Sequence, residues 1–246
     1  MDRLIYTAMT GAKHILEQQA TTTNNLANAT TTGFRAQIDA FRAVPVVGAP
    51  MPTRAYVVDS TVGTDFSPGS ILQTGRELDV AVLTKGWFAV QLEDGSEAYT
   101  RHGSLKLSEN GELQTQSGLA VLGDGGPIAV PPDVNLTIAK DGTVAAFATS
   151  GKAAASTVLG RIKLVNPPEG DLVRGSDGLF RLKSGEQAQL DENVAITSGA
   201  LESSNVNAAE AMVNMINLAR QFEMHMNLLK NAESNATKAS QILALS

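Results

Sequence analysis

The closing stretch, Asn207–Ser246, holds no glycine and no proline. Apolar or small residues recur along it at Met212, Met215, Ala219, Phe222, Met226, Leu229, Ala236 and Leu243, in a three-four rhythm that falls on one seam of an α-helix. Glu233 and Ser240 share that seam and weaken it. At about 1.5 Å per residue the run makes a rod of roughly 60 Å. Asn207, three residues before Glu210, reads as the helix start, with the asparagine side chain as cap. A long helix with one narrow apolar seam cannot bury itself and needs a second helix. The other candidate is the opposite end of the chain, from Asp2 to about Asn28. The sequence therefore predicts two terminal helices that meet, with a separate domain looped out between them. A chain whose two ends build one helical unit is suited to packing against copies of itself or its relatives.

Composition narrows the rest. A chain of 246 residues suits one or two domains. Apolar residues reach 43% and aromatics only 4%, so the core must come from Val, Ala, Thr and Gly, which favours β structure and small-residue helix seams. The formal net charge of −6, with no basic run, argues against nucleic acid, because nothing would displace counterions from a phosphate backbone. The absence of cysteine excludes disulfides and thiolate metal sites and is compatible with an oxidising compartment. Met1–Tyr6 lacks a basic segment followed by an apolar core, so no cleaved secretory signal is expected. No apolar run approaches the roughly 18 residues of a membrane span, and membrane insertion is not expected.

Residues 2–28 carry two interleaved seams. Ile5, Met9, Ala12, Leu16, Gln19, Thr23 and Leu26 form one, and Ile5, Ala8, Ala12, Ile15, Gln19, Thr22 and Leu26 the other. Two seams imply two or more neighbours. Both are rich in Ala, Thr and Gln, so the helix is marginal alone and is expected to order in an assembly. It should stop within Asn24–Arg35, where Asn and Thr side chains compete for the backbone and Gly33 can take the left-handed conformation that ends a helix.

Asn25-Leu26-Ala27-Asn28, followed by Thr31, Gly33, Phe34 and Arg35, resembles the N-terminal signature of the flagellar axial proteins, the family of rod, hook and hook-associated subunits. Val44–Pro52 carries three prolines and reads as a linker. Residues 53–77 remain polar, with a turn at Ser67-Pro68-Gly69. From Leu78 the period becomes that of a strand, in Leu78–Leu83 and again in Trp87–Leu92. Asp94-Gly95, Asn110-Gly111, Asp124-Gly125, Asp141-Gly142 and Asp177-Gly178 are hairpin signals. Short strands so spaced predict an all-β domain, part barrel and part sandwich. Trp87 and Phe88 point to opposite faces of one strand, one to the core and the other to a loop cover or a neighbour. Tyr99 and Arg101 share a face, with Arg101 in a cross-strand polar pair or at an interface.

Gly75–Val82, Gly86-Trp87-Phe88 and Tyr99–Gly103 resemble the core block of the same family. Leu201–Asn207, with Met212, Met215, Ile216, Arg220, Phe222 and Glu223, resembles its C-terminal signature. Ser204 and Asn205 read as turn and cap chemistry. Arg220 and Glu223, three apart, make either a helix-surface ion pair or a contact with the next subunit. The resemblance spans essentially the whole chain. Met1–Met9, Gly75–Val82, Gly123–Ile128 and Ala219–Met224 favour the proximal-rod member, with the distal-rod member second because Phe222 stands where that member usually has Tyr. A hook subunit, longer in the middle, comes third.

No catalytic set assembles. His14, His102 and His225 lie far apart, without partners at metal-ligand spacing. Asp94, Asp124, Asp141 and Asp177 each precede glycine and read as turn residues rather than as acids of a glycosidase. Gly123–Pro127 opens no helix and is not a phosphate loop. Met212, Met215, Met224 and Met226 read as adaptable packing.

The expected fold is thus α+β: terminal helices paired as a coiled-coil-like unit, a central all-β domain and an extended linker. The boundaries are 1–34 for the N-terminal helix, 35–77 for the linker, 78–200 for the β domain and 201–246 for the C-terminal helix. The resemblance implies a non-enzymatic structural subunit of the basal-body rod in the periplasm, with no cofactor, metal or small-molecule substrate. Implied partners are copies of itself, other rod proteins (FlgB, FlgC, FlgG) and the flagellar type III export apparatus. Ile5, Leu16, Asn25, Leu26, Asn28, Gly33, Phe34, Ser204, Asn205, Met212, Ile216, Arg220, Phe222, Glu223 and Leu229 are the expected assembly residues. The alternative outside this family is a secreted, non-enzymatic β-domain binding protein.

Overall fold

The computed structural model describes residues 2–45, 55–132, 134–148 and 156–244. The chain divides into two units. A helical unit takes Met1–Ala29, Ala36–Asp65 and Val206–Ser246; a β unit takes Thr30–Arg35 and Phe66–Asn205.

In the helical unit, α1 (Asp2–Ala27) packs against α2 (Ala208–Ala244). The Asn207 carboxamide oxygen accepts from the N–H groups of Ala209 (3.1 Å) and Glu210 (3.3 Å), so the predicted cap satisfies two amides that the helix itself leaves open. Helix α1 stops where Asn28 takes over the last turn. Its N–H and its side-chain amide both reach the Asn24 carbonyl, at 3.1 and 2.9 Å. Gly33 is therefore not the helix stop that the sequence suggested. Within residues 35–77, read as a linker, two described stretches are strands: Gln37–Pro45 and Ala55–Thr64 form an antiparallel ribbon with a bulge between Ala40 and Phe41. Within Val44–Pro52, residues 46–52 lie outside the described ones. The ribbon escaped detection because its strands alternate weakly and its connection is proline-rich.

The β unit is built from short strands on hairpins. Its largest sheet has nine strands, with Trp87–Gln91 at the centre between Glu97–Thr100 and Ala120–Gly123. A three-stranded sheet joins Val134–Ile138, Thr143–Ala148 and Ser156–Arg161. Two pairs return the chain: Ile196–Ser198 on Val80–Val82, and Ala200–Glu202 on Ile71–Gln73. Four of the predicted turns close alike. Gly95, Gly111, Gly142 and Gly178 sit at φ between +79° and +89°, and each N–H bonds to the carbonyl three residues earlier, the left-handed position that makes glycine the residue of choice there. At Asp124-Gly125 the positive φ falls instead on Gly126. Ser67-Pro68-Gly69 is irregular rather than a turn.

Strand Trp87–Gln91 is buried on both faces, and each face serves its own core. Phe88 and Val90 pack with Val80, Leu113, Val121, Ile162 and Ile196. Trp87 and Ala89 pack with Tyr99, Val165 and Phe180. Trp87 is thus neither a loop cover nor a neighbour contact; it fills a second core, 4.6 Å centroid to centroid from Phe180.

Candidate functional site

The interhelical seam of α2 follows Ala211, Met215, Leu218, Phe222, His225, Leu229, Ala232 and Ala236, the half-buried or buried positions of an otherwise exposed helix. Those steps alternate four and three, the spacing of one helix face. The sequence reading had Met215, Phe222, Leu229 and Ala236 on it and put Met212, Ala219 and Met226 in place of Ala211, Leu218 and His225. The opposing face of α1 explains the rotation. It is lined by Ala8, Ala12 and Ile15, all buried, and by Gly11, where an added Cβ would meet His225 Cε1 at 2.7 Å. Small residues on α1 let the His225 ring lie against the backbone.

Of the two α1 seams, that of Ala8, Ala12, Ile15, Gln19, Thr22 and Leu26 is covered, whereas Met9, Leu16 and Thr23 are exposed. The second neighbour that the two seams implied is the ribbon, reached from a different side of α1. His14 meets Phe41 edge-on at 5.4 Å, and Thr21 donates to Asp39 (2.8 Å). Asn25 holds Gln37 by both backbone groups, donating to its carbonyl and accepting from its N–H, each at 2.8 Å.

The uncovered part of α2 mixes polar residues such as Arg220 and Glu223 with large apolar ones. Met212 (52%), Ile216 (54%) and Met224 (62%) are exposed, with Val213, Met226 and Leu228. Helix α2 has 37 residues and α1 has 26, so α2 is about 16 Å the longer. Apolar surface left in contiguous patches marks an interaction face.

In the β unit, Glu202 is the junction of four chain segments. Its carboxylate takes Arg35 Nη2 (2.7 Å) and the Gly69 N–H (3.0 Å) on one oxygen and Arg101 Nη1 (3.0 Å) on the other. Its carbonyl accepts from the Gly33 N–H (2.8 Å). Arg101 also donates to the Val82 and Thr84 carbonyls and lies over the Trp87 ring at 5.4 Å. Burial, and behind it the neighbouring Arg35, pull the Arg101 guanidinium below its ordinary value, and Glu202 opposes them. Arg101 is therefore an internal polar pair. Gly33 takes φ +68°, and the Arg101 carbonyl lies where a Cβ would stand, so both constraints call for glycine. The Phe34 ring is buried beneath Arg174, whose guanidinium carbon is 4.4 Å from its centroid.

The expected assembly residues therefore separate. Gly33, Phe34 and Ser204 are enclosed in the β unit, and Asn205 donates to the Ser67 carbonyl (3.1 Å). Asn25 and Asn28 finish α1 and its ribbon contact, and Leu26, Phe222 and Leu229 are half-buried. Leu16, Met212, Ile216, Arg220 and Glu223 are exposed, and among the described residues no ion pair joins Arg220 to Glu223. The side chain of Ile5 is not among those described. Sequence reasoning missed Arg35 and Glu202 as partners, because they are brought together only by the return of strand Ala200–Glu202 to the start of the β unit.

The titratable groups have structural employment. The carboxylates of Asp94, Asp141 and Asp177 accept from the backbone N–H two residues on; Ser96 and Thr143 hold the first two, and Arg181 the third, below the usual carboxylate range. Burial lowers His102 and pushes the Tyr99 hydroxyl up to about 12, and that hydroxyl accepts from the Ala188 N–H at 2.7 Å. Among the described residues no group of three or more His, Asp or Glu could hold a metal ion. No described helix is long and apolar enough to cross a membrane.

Three stretches match known families. Residues 5–35 match the flagella basal body rod protein family, 81–146 the flagellar hook protein FlgE/F/G D1 domain, and 197–242 the flagellar basal body rod FlgEFG protein C-terminal family. Terminal helices and a β unit with these matches define a flagellar axial subunit. Over the full length of both chains, the sequence is 48% identical to the flagellar basal-body rod protein FlgF of Escherichia coli and 46% identical to that of Salmonella typhimurium. A FlgG of Buchnera aphidicola is 29% identical over 89% of this chain and 91% of its own. The chain belongs to the FlgF family of flagellar basal-body rod proteins and is a structural subunit of that rod.

Proposed function

We propose that the subunit sits in the proximal, periplasmic part of the rod and passes torque along it. In this reading it assembles with copies of itself and with FlgB, FlgC and FlgG. It reaches its place through the flagellar type III export apparatus, and it acts through surface contact rather than catalysis. The observation that carries the reading is the face of α2 left open by α1: Met212, Ile216 and Met224 are more than half exposed on a helix whose seam is already occupied. A shaft under torque must resist shear between subunits, and long helices that share apolar faces distribute that load over many residues. Ordering such helices costs entropy that neighbours at a growing tip can offset.

The test separates the two faces. Ile216→Asp, on the open face, is expected to leave thermal unfolding of the free subunit within about 0.5 kcal/mol of the parent and to abolish incorporation into basal bodies. Phe222→Asp and Leu26→Asp, on the occupied seam, are expected to lose the helix pair and incorporation while Trp87 fluorescence keeps its native spectrum. Normal basal bodies from the Ile216→Asp variant would refute the assignment of the open face.

A further inference from the structure

The Glu202 junction has an imbalance that the rod assignment does not use. Arg35 and Glu202 are 1% exposed and Arg101 is 6% exposed at the side chain, so two cations and one anion share a closed space. Arg35 Nε and Nη1 and Arg101 Nε have no hydrogen-bond partner among the described residues, and the π-face of Trp87 lies 6.0 Å from Arg35 and 5.4 Å from Arg101. One carboxylate thus serves both guanidinium groups, and the site keeps a net positive charge. Glu202 is also one of the last residues of the β unit in chain order, which ends at Asn205. Its partners precede it by 167 and 101 positions (202 − 35 and 202 − 101).

We propose that Glu202 is a folding gate: the β unit closes only when residue 202 has joined Arg35 and Arg101, because before that the closing core would bury two unpaired guanidinium groups. A buried ion whose partner is removed is strongly destabilising, and a chain leaves its synthesis N-terminus first. Every other strand of the unit, from Ile71–Gln73 to Ile196–Ser198, is therefore available before the gate can shut. Gly69 and Gly33 bring their own segments to the same carboxylate residue, so the gate also fixes where the chain crosses into the β unit and out of it. The use of such a delay, keeping a subunit open for passage through a narrow export channel, rests on the export route proposed above; the gate itself rests on the ion cluster. The experiment reads folding of the purified full-length chain alone, so the export reading can fail without touching it.

Refolding and unfolding rates are measured by the fluorescence of Trp87, the single tryptophan, in the parent chain, in Glu202→Gln, and in the charge-free triple variant Arg35→Met, Arg101→Met, Glu202→Leu. Glu202→Gln is expected to lower the folded-to-unfolded ratio roughly 100-fold or more, with most of the loss in the refolding rate. The triple variant is expected to refold at least as fast as the parent. A Glu202→Gln chain of unchanged stability, or one that refolds at the parental rate and only unfolds faster, overturns the gate. If Glu202→Gln does not fold at all, the triple variant decides: native Trp87 emission supports the charge requirement, and failure to fold overturns it.

Discussion

The β unit and the helical unit bury their apolar side chains to different depths. In the β unit, strand Trp87–Gln91 has a core on each face, and Val80, Val90, Ile162 and Ile196 are sealed from solvent. Its turns are closed by left-handed glycines and its turn carboxylates by their own backbone. Among the described residues of the two helices only Ala8, Ala12, Ile15 and Ala211 are buried, while larger side chains such as Met224 and Ile216 face outward. Small residues on α1 meet larger ones such as Phe222 and Leu229 on α2, while Met224 and Ile216 stay outside that seam. The first unit fills two cores from its own sequence, although Leu72, Leu83 and Val158 stay exposed on it. The second leaves Met212, Ile216 and Met224 exposed on α2, the surface that the proposed assembly would cover.

That contrast can be broken most sharply at Phe88. Phe88→Ala is expected to cost the β unit about 3–5 kcal/mol, read as the urea midpoint of Trp87 fluorescence; a loss below about 1 kcal/mol would show the core to be loosely filled. A smaller, pH-gated loss should follow from Tyr99. Its folded value of about 12 lies above the ordinary 10.0, so the native state keeps a proton that the unfolded chain releases first. Stability from this group is complete below pH 10 and falls as pH rises from 10 toward 12. Urea midpoints at pH 9 and pH 11.5 should differ, and Tyr99→Phe should remove that part of the difference. The smallest effect belongs to the helical unit. Asn207→Ala is expected to cost about 1 kcal/mol of helix stability, seen in circular dichroism as fraying of α2, with Trp87 emission unchanged.

The same contrast governs what could be read from the sequence. Hairpins whose glycines must accept positive φ, such as Asp94-Gly95 and Asp141-Gly142, announce themselves locally, and so did the cap at Asn207. The two faces of Trp87 and Phe88 followed from strand alternation, though the second core did not, since Phe66 and Phe180 join it from distant segments. The α2 seam was placed one residue away at several positions. Periodicity alone ranks Met212 above Ala211 by size, and the decision lay in Gly11 and Ala12 on the other helix. The Arg35–Glu202 pair was not legible, because the two residues stand in separate signatures and their meeting depends on the register of Ala200–Glu202 against Ile71–Gln73. The ribbon of residues 37–64 was hidden by its proline-rich connection.

The central claim, that the β unit is complete alone while the helices await neighbours, is tested most directly by native-state hydrogen exchange on the free full-length chain. Amides of Trp87–Gln91, Glu97–Thr100 and Ala120–Gly123 should exchange only through global opening of the β unit. Those of α1 and α2 should exchange orders of magnitude faster, through local fraying. Helix amides protected as strongly as those central strands would mean that the helical unit is already finished in the single chain, and would contradict the account.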